Sequence, residues 1–153
     1  SIPEMDDKPE GILGNEFSYL KGFKKSILMV AGSAVQKLME TMAKEQEVLM
    51  NISDMAIRTY LAESALLRVQ QMIDQKGEDA CQAQIAMVKT YFYDTADAIN
   101  KYGKDAVNSF AEGDELRMMM MGLKRFTKTE PFNPKDARQL IAQQLIEANA
   151  YCF

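Results

Sequence analysis

Apolar residues return every three or four positions along this chain, and very little interrupts them. Leu20, Phe23, Ile27, Ala31, Ala34, Leu38 and Met42 fall on one side of a helical wheel. Only four prolines and eight glycines punctuate 153 residues, so there are few places where a helix must end. With 47% apolar residues, twelve of them methionine, the profile suits helices far better than sheets. The pattern therefore predicts an all-α fold. The length fits one domain, which by general scaling buries roughly 68–70% of its unfolded surface.

The first fourteen residues hold Pro3, Pro9, Gly11 and Gly14 among acidic side chains and read as a linker. Asn15 then serves as N-cap of a first helix, with Glu16 in its first turn. A second helix runs from about Glu45 to Lys76, where Gly77 supplies a stop. No glycine or proline separates these two, so a turn near 41–45 stands against one bent, continuous helix. The second helix carries Val48, Leu49, Ile52, Met55, Ala56, Leu66 and Ile73 on one side, with Met50, Ile57, Leu61 and Met72 roughly opposite. Two apolar sides mark a helix that is central or lies at an interface. A third helix opens in Glu78-Asp79 and continues to Gly113, with Cys81, Ile85, Val88, Phe92, Ala96, Ile99, Ala106 and Phe110 inward and Gly103 as a loosening point. Asp114 caps a fourth, with Leu116, Met119, Met120, Leu123 and Phe126 inward. After a break at Thr129–Phe132, Asn133 as N-cap and Pro134 at the first helical position begin a short fifth helix over about 134–148. Its inward face is Ala137, Leu140, Ile141, Leu145 and Ala148, and Tyr151-Cys152-Phe153 make an apolar tail. The expected architecture is a four-helix up-and-down bundle over 15–128, preceded by a linker over 1–14 and followed by an extension over 129–153 with a short C-terminal helix.

The chemistry open to such a chain is narrow. Without histidine it has no Ser-His-Asp or Cys-His pair, no HExxH zinc helix and no di-iron ExxH site. No Gly-rich phosphate loop, dinucleotide fingerprint, CxxC pair or GxSxG elbow is present. A net charge of −4 argues against a nucleic-acid partner. Cys81 and Cys152 are far apart and read as free thiols in a reducing compartment, Cys152 being either reactive or merely exposed. No stretch reaches the length of a membrane span, and no cleavable signal opens the chain.

Four features invite a functional reading and each has a plainer one. Glu63 lies inside an apolar stripe; it is either a base with a raised pKa or, the favoured reading, a carboxylate that snorkels or pairs with a neighbouring Arg or Tyr. Tyr91, Phe92, Tyr93 and Tyr102 resemble a stacking platform, but helical spacing assigns them to the core and its flank. In the run Met118–Met121, Met118 and Met121 fall off the inner face; they are interface candidates, set evenly against wider burial in the same domain. Lys21, Lys24 and Lys25, with Phe17, Tyr19, Phe23 and Ile27, give the first helix a basic amphipathic start that suits an anionic membrane surface, although a bundle exterior explains three lysines more simply. No residue is assigned to catalysis, cofactor binding or metal ligation.

Glu45-Gln46, Leu49, Asp54, Ala56-Ile57, Tyr60, Leu66 and Arg68, followed after a Gly-acidic turn by Asp94, Ala96 and Ile99, are a scattered pattern over 15–128. It resembles the extra C-terminal domain of very-long-chain acyl-CoA dehydrogenases. The resemblance implies a helical bundle that follows a flavin-containing core, packs against it and takes no direct part in the chemistry. It implies a parent that is an FAD-dependent homodimer. Such a parent introduces an α,β double bond into fatty acyl-CoA thioesters with a glutamate base and passes electrons to an electron-transfer flavoprotein. That core lies outside this sequence, so no residue here inherits its base or its flavin contacts. The linker and the missing initiator Met are expected of a piece of such a parent, located in the cytoplasm or on the inner face of the membrane. Two departures stand out: Glu63 replaces an aliphatic residue, and the fifth helix exceeds the pattern. Residues 17–30 do not match, residue by residue, the membrane-associating segment of mitochondrial relatives. The helical FAD-binding domain of the core itself is a weaker match, because its Tyr-Glu-Gly-Thr-like stretch is missing. Outside the family, the alternative is a free-standing helical adaptor or oligomerisation module that uses Met118 and Met121.

Overall fold

A computed structural model describes residues 11–39, 41 and 45–152. Most of the expected linker, residues 42–44 of the expected turn and the side chains of the apolar tail lie outside the described residues. Five helices follow in order: α1 Gly14–Leu38, α2 Gln46–Lys76, α3 Gln82–Phe110, α4 Gly113–Phe126 and α5 Pro134–Cys152. One turn of 3₁₀ helix, Asp79–Cys81, leads into α3. No strand occurs among the described residues.

Local chemistry explains most of the ends. Gly77 stops α2 at φ 84°, a left-handed value that favours glycine, and its N–H donates to the Ile73 carbonyl at 2.7 Å. Asn133 caps α5: its Oδ1 accepts the N–H groups of Lys135 and Asp136 at 3.1 and 3.2 Å, while its Nδ2 donates to the Asp136 carboxylate. Asn15 and Asp114 do not cap their helices as expected. Leu13 and Glu112 occupy those N-cap positions, and neither makes a side-chain capping bond. Compensation of the helix dipole falls instead to Glu16 in α1 and to Asp114 and Glu115 in α4. Leu38 ends α1, its carbonyl accepting the Thr41 N–H at 2.8 Å, and α2 starts afresh at Gln46. The two are therefore separate helices, not one bent rod.

Cross-links between helices fix their directions. Glu16 near the start of α1 meets Lys89 near the start of α3, so those two run parallel. Lys37 near the end of α1 meets Glu115 at the start of α4, which makes those two antiparallel, and α2, packed on α1 after the short 39–45 connection and linked to it by Lys24–Glu63, runs back along it. This is the expected four-helix up-and-down bundle with an extra C-terminal helix. Within it α3 packs against all four other helices, and α1 touches α2, α3 and α4. The Phe23 and Phe92 rings stack at its centre with centroids 5.7 Å apart. Met55, Leu66, Ile99 and Leu123 are fully buried in the same core. Each such side chain contributes about 1.5–3 kcal/mol by leaving water.

Two glycines let α4 approach closely. Gly22 of α1 lies directly against the Phe126 backbone, and Gly103 of α3 lies beneath the Leu123 side chain. Gly103 therefore does not loosen α3, which is continuous through it; the missing Cβ makes room for Leu123.

The apolar phase departs from expectation in three helices. On α1, Ser26 and Val30 are buried while Ile27, Ala31 and Leu38 are only partly so. Ser26 is admitted because its hydroxyl donates to the Gly22 carbonyl at 3.0 Å. On α2, Ala56 is exposed rather than inward and Met72 packs on the core rather than opposite it, while Met50, Ile57 and Leu61 form the outward side that the interface alternative expects. On α5, Ala137 is buried and Leu140 and Ile141 partly so, yet Leu145 and Ala148 are exposed. The descent along α3 explains this last case. Leu123 meets Gly103, Thr127 meets Asn100 and Phe132 meets Tyr93, so α5 continues beside the first half of α3. By Leu145 it has reached the level where α3 begins, and residues 145–149 are all exposed. At 19 residues it is also longer than the short helix expected.

Candidate functional site

Three segments meet around one indentation of the surface: the first turns of α1, the first half of α3 and the connection 129–132. They enclose a cavity of about 100 Å³ lined by Asn15, Glu16, Tyr19, Lys89, Tyr93 and Thr129–Phe132. Glu16 is buried and pairs with the half-buried Lys89 at 2.8 Å. The Tyr19 hydroxyl accepts the backbone N–H of Glu130 at 2.7 Å. Burial pushes the Tyr19 phenol above its ordinary pKa of 10.0. The Glu130 N–H opposes that shift, and the nearby Glu16 and Glu130 carboxylates reinforce it. The Tyr93 ring lies 5.4 Å from that of Phe132. A neutralised ion pair and a neutral phenol offer no nucleophile, and the cavity is smaller than the roughly 300–1,000 Å³ of ordinary ligand sites. What the arrangement does is fasten the α4–α5 connection onto α1 and α3.

Sequence-selected residues are distributed differently. Glu63 pairs with Lys24 at 3.0 Å. That is the plainer of its two readings, with a lysine in place of the expected Arg or Tyr. It also ties one of the three basic candidates to α2. Lys21, Lys24 and Lys25 all stand on the exposed side of α1. Phe92 is core, and Tyr91 and Tyr102 pack partly buried against it. Cys81 is a free, buried thiol. Among the described residues no three acidic or cysteine side chains gather to hold a metal, and no helix is long and apolar enough to cross a membrane.

Met118 and Met121 are 72% and 67% exposed on the outer side of α4, while Met119 is buried and Met120 packs on the core. A larger apolar area joins the second apolar side of α2, already visible in the sequence, to a stripe on α1 that the sequence reading misses. Leu28 and Val35 on α1 and Met39 at its C-cap are exposed, and so are Met50, Ile57, Tyr60, Leu61 and Leu67 on α2. The signal lies in spacing. Leu28, Val35 and Met39 sit seven and four residues apart, and Met50, Ile57 and Leu61 repeat the same steps. Such steps keep a helix face, so each set is one outward stripe.

Comparison with known proteins adds what the geometry alone does not. The family model described as acyl-CoA dehydrogenase, C-terminal domain, matches residues 22–125. A probable acyl-CoA dehydrogenase of Bacillus subtilis (strain 168) is 30% identical over 148 residues, which is 96% of this chain and 25% of the relative. The crystal structure of an acyl-CoA dehydrogenase complexed with FAD from Bacillus anthracis superposes with a TM-score of 0.89 at 29% identity. That match covers 94% of this chain and 24% of the other. The chain thus spans about a quarter of the length of both relatives.

Proposed function

The chain belongs to the acyl-CoA dehydrogenase C-terminal domain family, and from that premise we propose that it is the helical C-terminal domain of an FAD-dependent acyl-CoA dehydrogenase. In this reading the unit is non-catalytic and serves to pack against the parent's core, to support a homodimer or to offer a surface. The observation that carries it is the match of nearly the whole chain to only a quarter of two dehydrogenases. The parent's reaction removes a proton and a hydride from adjacent carbons of a fatty acyl thioester. FAD, when bound to the parent, takes the hydride, and an electron-transfer flavoprotein accepts the electrons. The residues of this unit do not fit FAD. The cavity described above, about 100 Å³ and lined by an ion pair and a phenol, is well below the usual size of cofactor sites. No step of the reaction is therefore assigned to this chain. Residence in the cytoplasm, with the parent at most peripheral to the membrane, belongs to the same reading.

The reading frame upstream of Ser1 tests it: the proposal requires a frame that continues into a flavoprotein core, and a frame opening at Ser1 would sink it. Purified parent should show flavin absorbance that bleaches on addition of a fatty acyl-CoA, whereas the 153-residue unit alone should show none. Flavin absorbance in the isolated unit would return the chemistry to these residues. A free-standing adaptor would use the same exposed methionines, and the upstream frame separates the two.

A further inference from the structure

Of the fourteen large hydrophobic residues exposed among those described, eight lie on α1, its C-cap and α2, and only two on α4. Six of the eight form the two matched stripes, Leu28, Val35 and Met39 on one helix and Met50, Ile57 and Leu61 on the other, with exposures between 48% for Leu61 and 77% for Met39. Each stripe covers about 16 Å of helix length. The helices are antiparallel neighbours, and the Lys24–Glu63 pair sets their register. It places Leu28 level with Thr59 and Tyr60, and Val35 level with Ile52. The stripes therefore occupy the same stretch of two neighbouring helices, each turned outward. Together they expose roughly 600 Å² of apolar surface, the upper limit for a patch on a free monomer and most of the roughly 800 Å² each partner gives a standard interface.

We propose that this outer face of the α1–α2 pair is where the unit docks on the remainder of the parent chain. The proposal rests on the parent reading above and adds the surface. The occupant follows from chain length: about three quarters of each relative lies outside the matched region, a body large enough to cover the face. Charge argues against an anionic bilayer as the occupant. Along the α2 stripe the acidic Glu47 and Asp54 stand beside the single exposed Arg58, so that helix carries no basic excess, and on α1 Lys24 is engaged by Glu63. Met118 and Met121 alone are too small an area to serve as the principal contact.

Thiol labelling tests the assignment. With Cys152→Ser removing the terminal thiol and Cys81 buried, Ile57→Cys and Met118→Cys are each made in the 153-residue unit and in the full-length protein, and reaction with a soluble maleimide is timed. Circular dichroism confirms that each variant is folded. The expected result is fast labelling of Ile57→Cys in the unit and slowing by about ten-fold or more in the full-length protein, since a thiol reacts only where reagent reaches it. Met118→Cys should change little. Equal labelling of Ile57→Cys in both proteins overturns the proposal while leaving the parent reading intact. Protection of Met118→Cys alone moves the interface to α4 and also overturns it. Protection of Ile57→Cys in the isolated unit, with a dimer by sedimentation, assigns the face to a second copy instead. A reading frame that opens at Ser1 removes the occupant and the parent reading together.

Discussion

Replacing Gly22 with alanine isolates the contact that seats α4. In a helix interior the exchange is intrinsically favourable by about 0.8–1.0 kcal/mol, because alanine loses less backbone freedom on folding. Here a Cβ would run into the Phe126 carbonyl oxygen, with the carbonyl carbon 3.1 Å and the Phe126 Cα 3.5 Å away. These are backbone atoms in the last turn of α4 and have no rotamer to escape into. The helix must back away as a body, and it takes with it Leu123, which fills the space over Gly103. Overpacking of this kind costs about 1–3 kcal/mol and occasionally more. With the propensity gain set against it, Gly22→Ala should destabilise by up to about 2 kcal/mol instead of stabilising. Gly32 is the control, because it lies on the same helix with nothing within 4 Å of an added Cβ. There the propensity gain stands alone, and Gly32→Ala should stabilise by about 1 kcal/mol. Gly122→Ala falls between, since its Cβ meets the Met29 sulfur at 2.7 Å and that side chain can swing aside. Urea unfolding followed by far-ultraviolet circular dichroism suits a chain without tryptophan, and gives the three midpoints directly. In thermal melts the Gly22 and Gly32 variants should separate by roughly 5–10 °C. If Gly22→Ala stabilised as much as Gly32→Ala, the close seating of α4 on α1 would be wrong.

Lys89→Met leaves the Glu16 carboxylate buried without its cation and should cost about 3–5 kcal/mol at neutral pH. The double variant with Glu16→Gln should recover much of it in the same urea titration. Thr59 and Thr95 are buried, and among the described residues neither hydroxyl has a hydrogen-bond partner. Changing both to valine should raise stability by about 1–3 kcal/mol, and a loss would mean that the hydroxyls are satisfied in solution. Because burial raises the Tyr19 pKa in the folded chain, the unfolded chain ionises first. The contribution is complete below the unfolded value near 10.0 and is lost as pH rises through the higher folded one. Tyr19→Phe should flatten this alkaline decline, and an unchanged slope would exclude Tyr19 as its source.

The helices and their hard stops are legible in the sequence because glycine, proline and asparagine act locally. Gly77 and the Asn133-Pro134 pair need no tertiary information to do their work. The phase of α1 is harder to read, because the helix is apolar on two sides. Leu20 and Phe23 point inward, and one residue's offset then decides between Ile27 and Ser26, or between Ala31 and Val30. Hydrophobicity favours the wrong choice at Ser26, where a hydrogen bond to Gly22 offsets burial of the hydroxyl. Once Ile27 and Ala31 are taken as inward, Leu28 and Val35 lose their meaning as an outward stripe. Glu16 escapes notice for a related reason. Its first-turn position accounts for a carboxylate, so nothing in the sequence calls for a partner 73 positions away on α3.

The fourth side of the bundle shows how local breaks and packing divide the work. Its residues do not form one long helix against α3, because α4 ends at Phe126 and two prolines, which cannot continue a helix, follow: Pro131 in the connection and Pro134 where α5 starts afresh behind the Asn133 cap. The first piece, α4, is held by backbone-close contacts at Gly22 and Gly103, which tolerate no added atom without a shift. The second, α5, has Ala137 as the one buried side chain among its described residues and runs past the start of α3 with Leu145 and Ile146 exposed. Between them the connection is held by Tyr19 on Glu130 and by Tyr93 on Phe132. These few contacts close the cavity around Glu16 and Lys89, so the most site-like place in the unit is explained by the need to splice two helices onto a third. The surface left over once that need is met is the paired stripe on α1 and α2, on helices that the splice does not touch except through the first turns of α1.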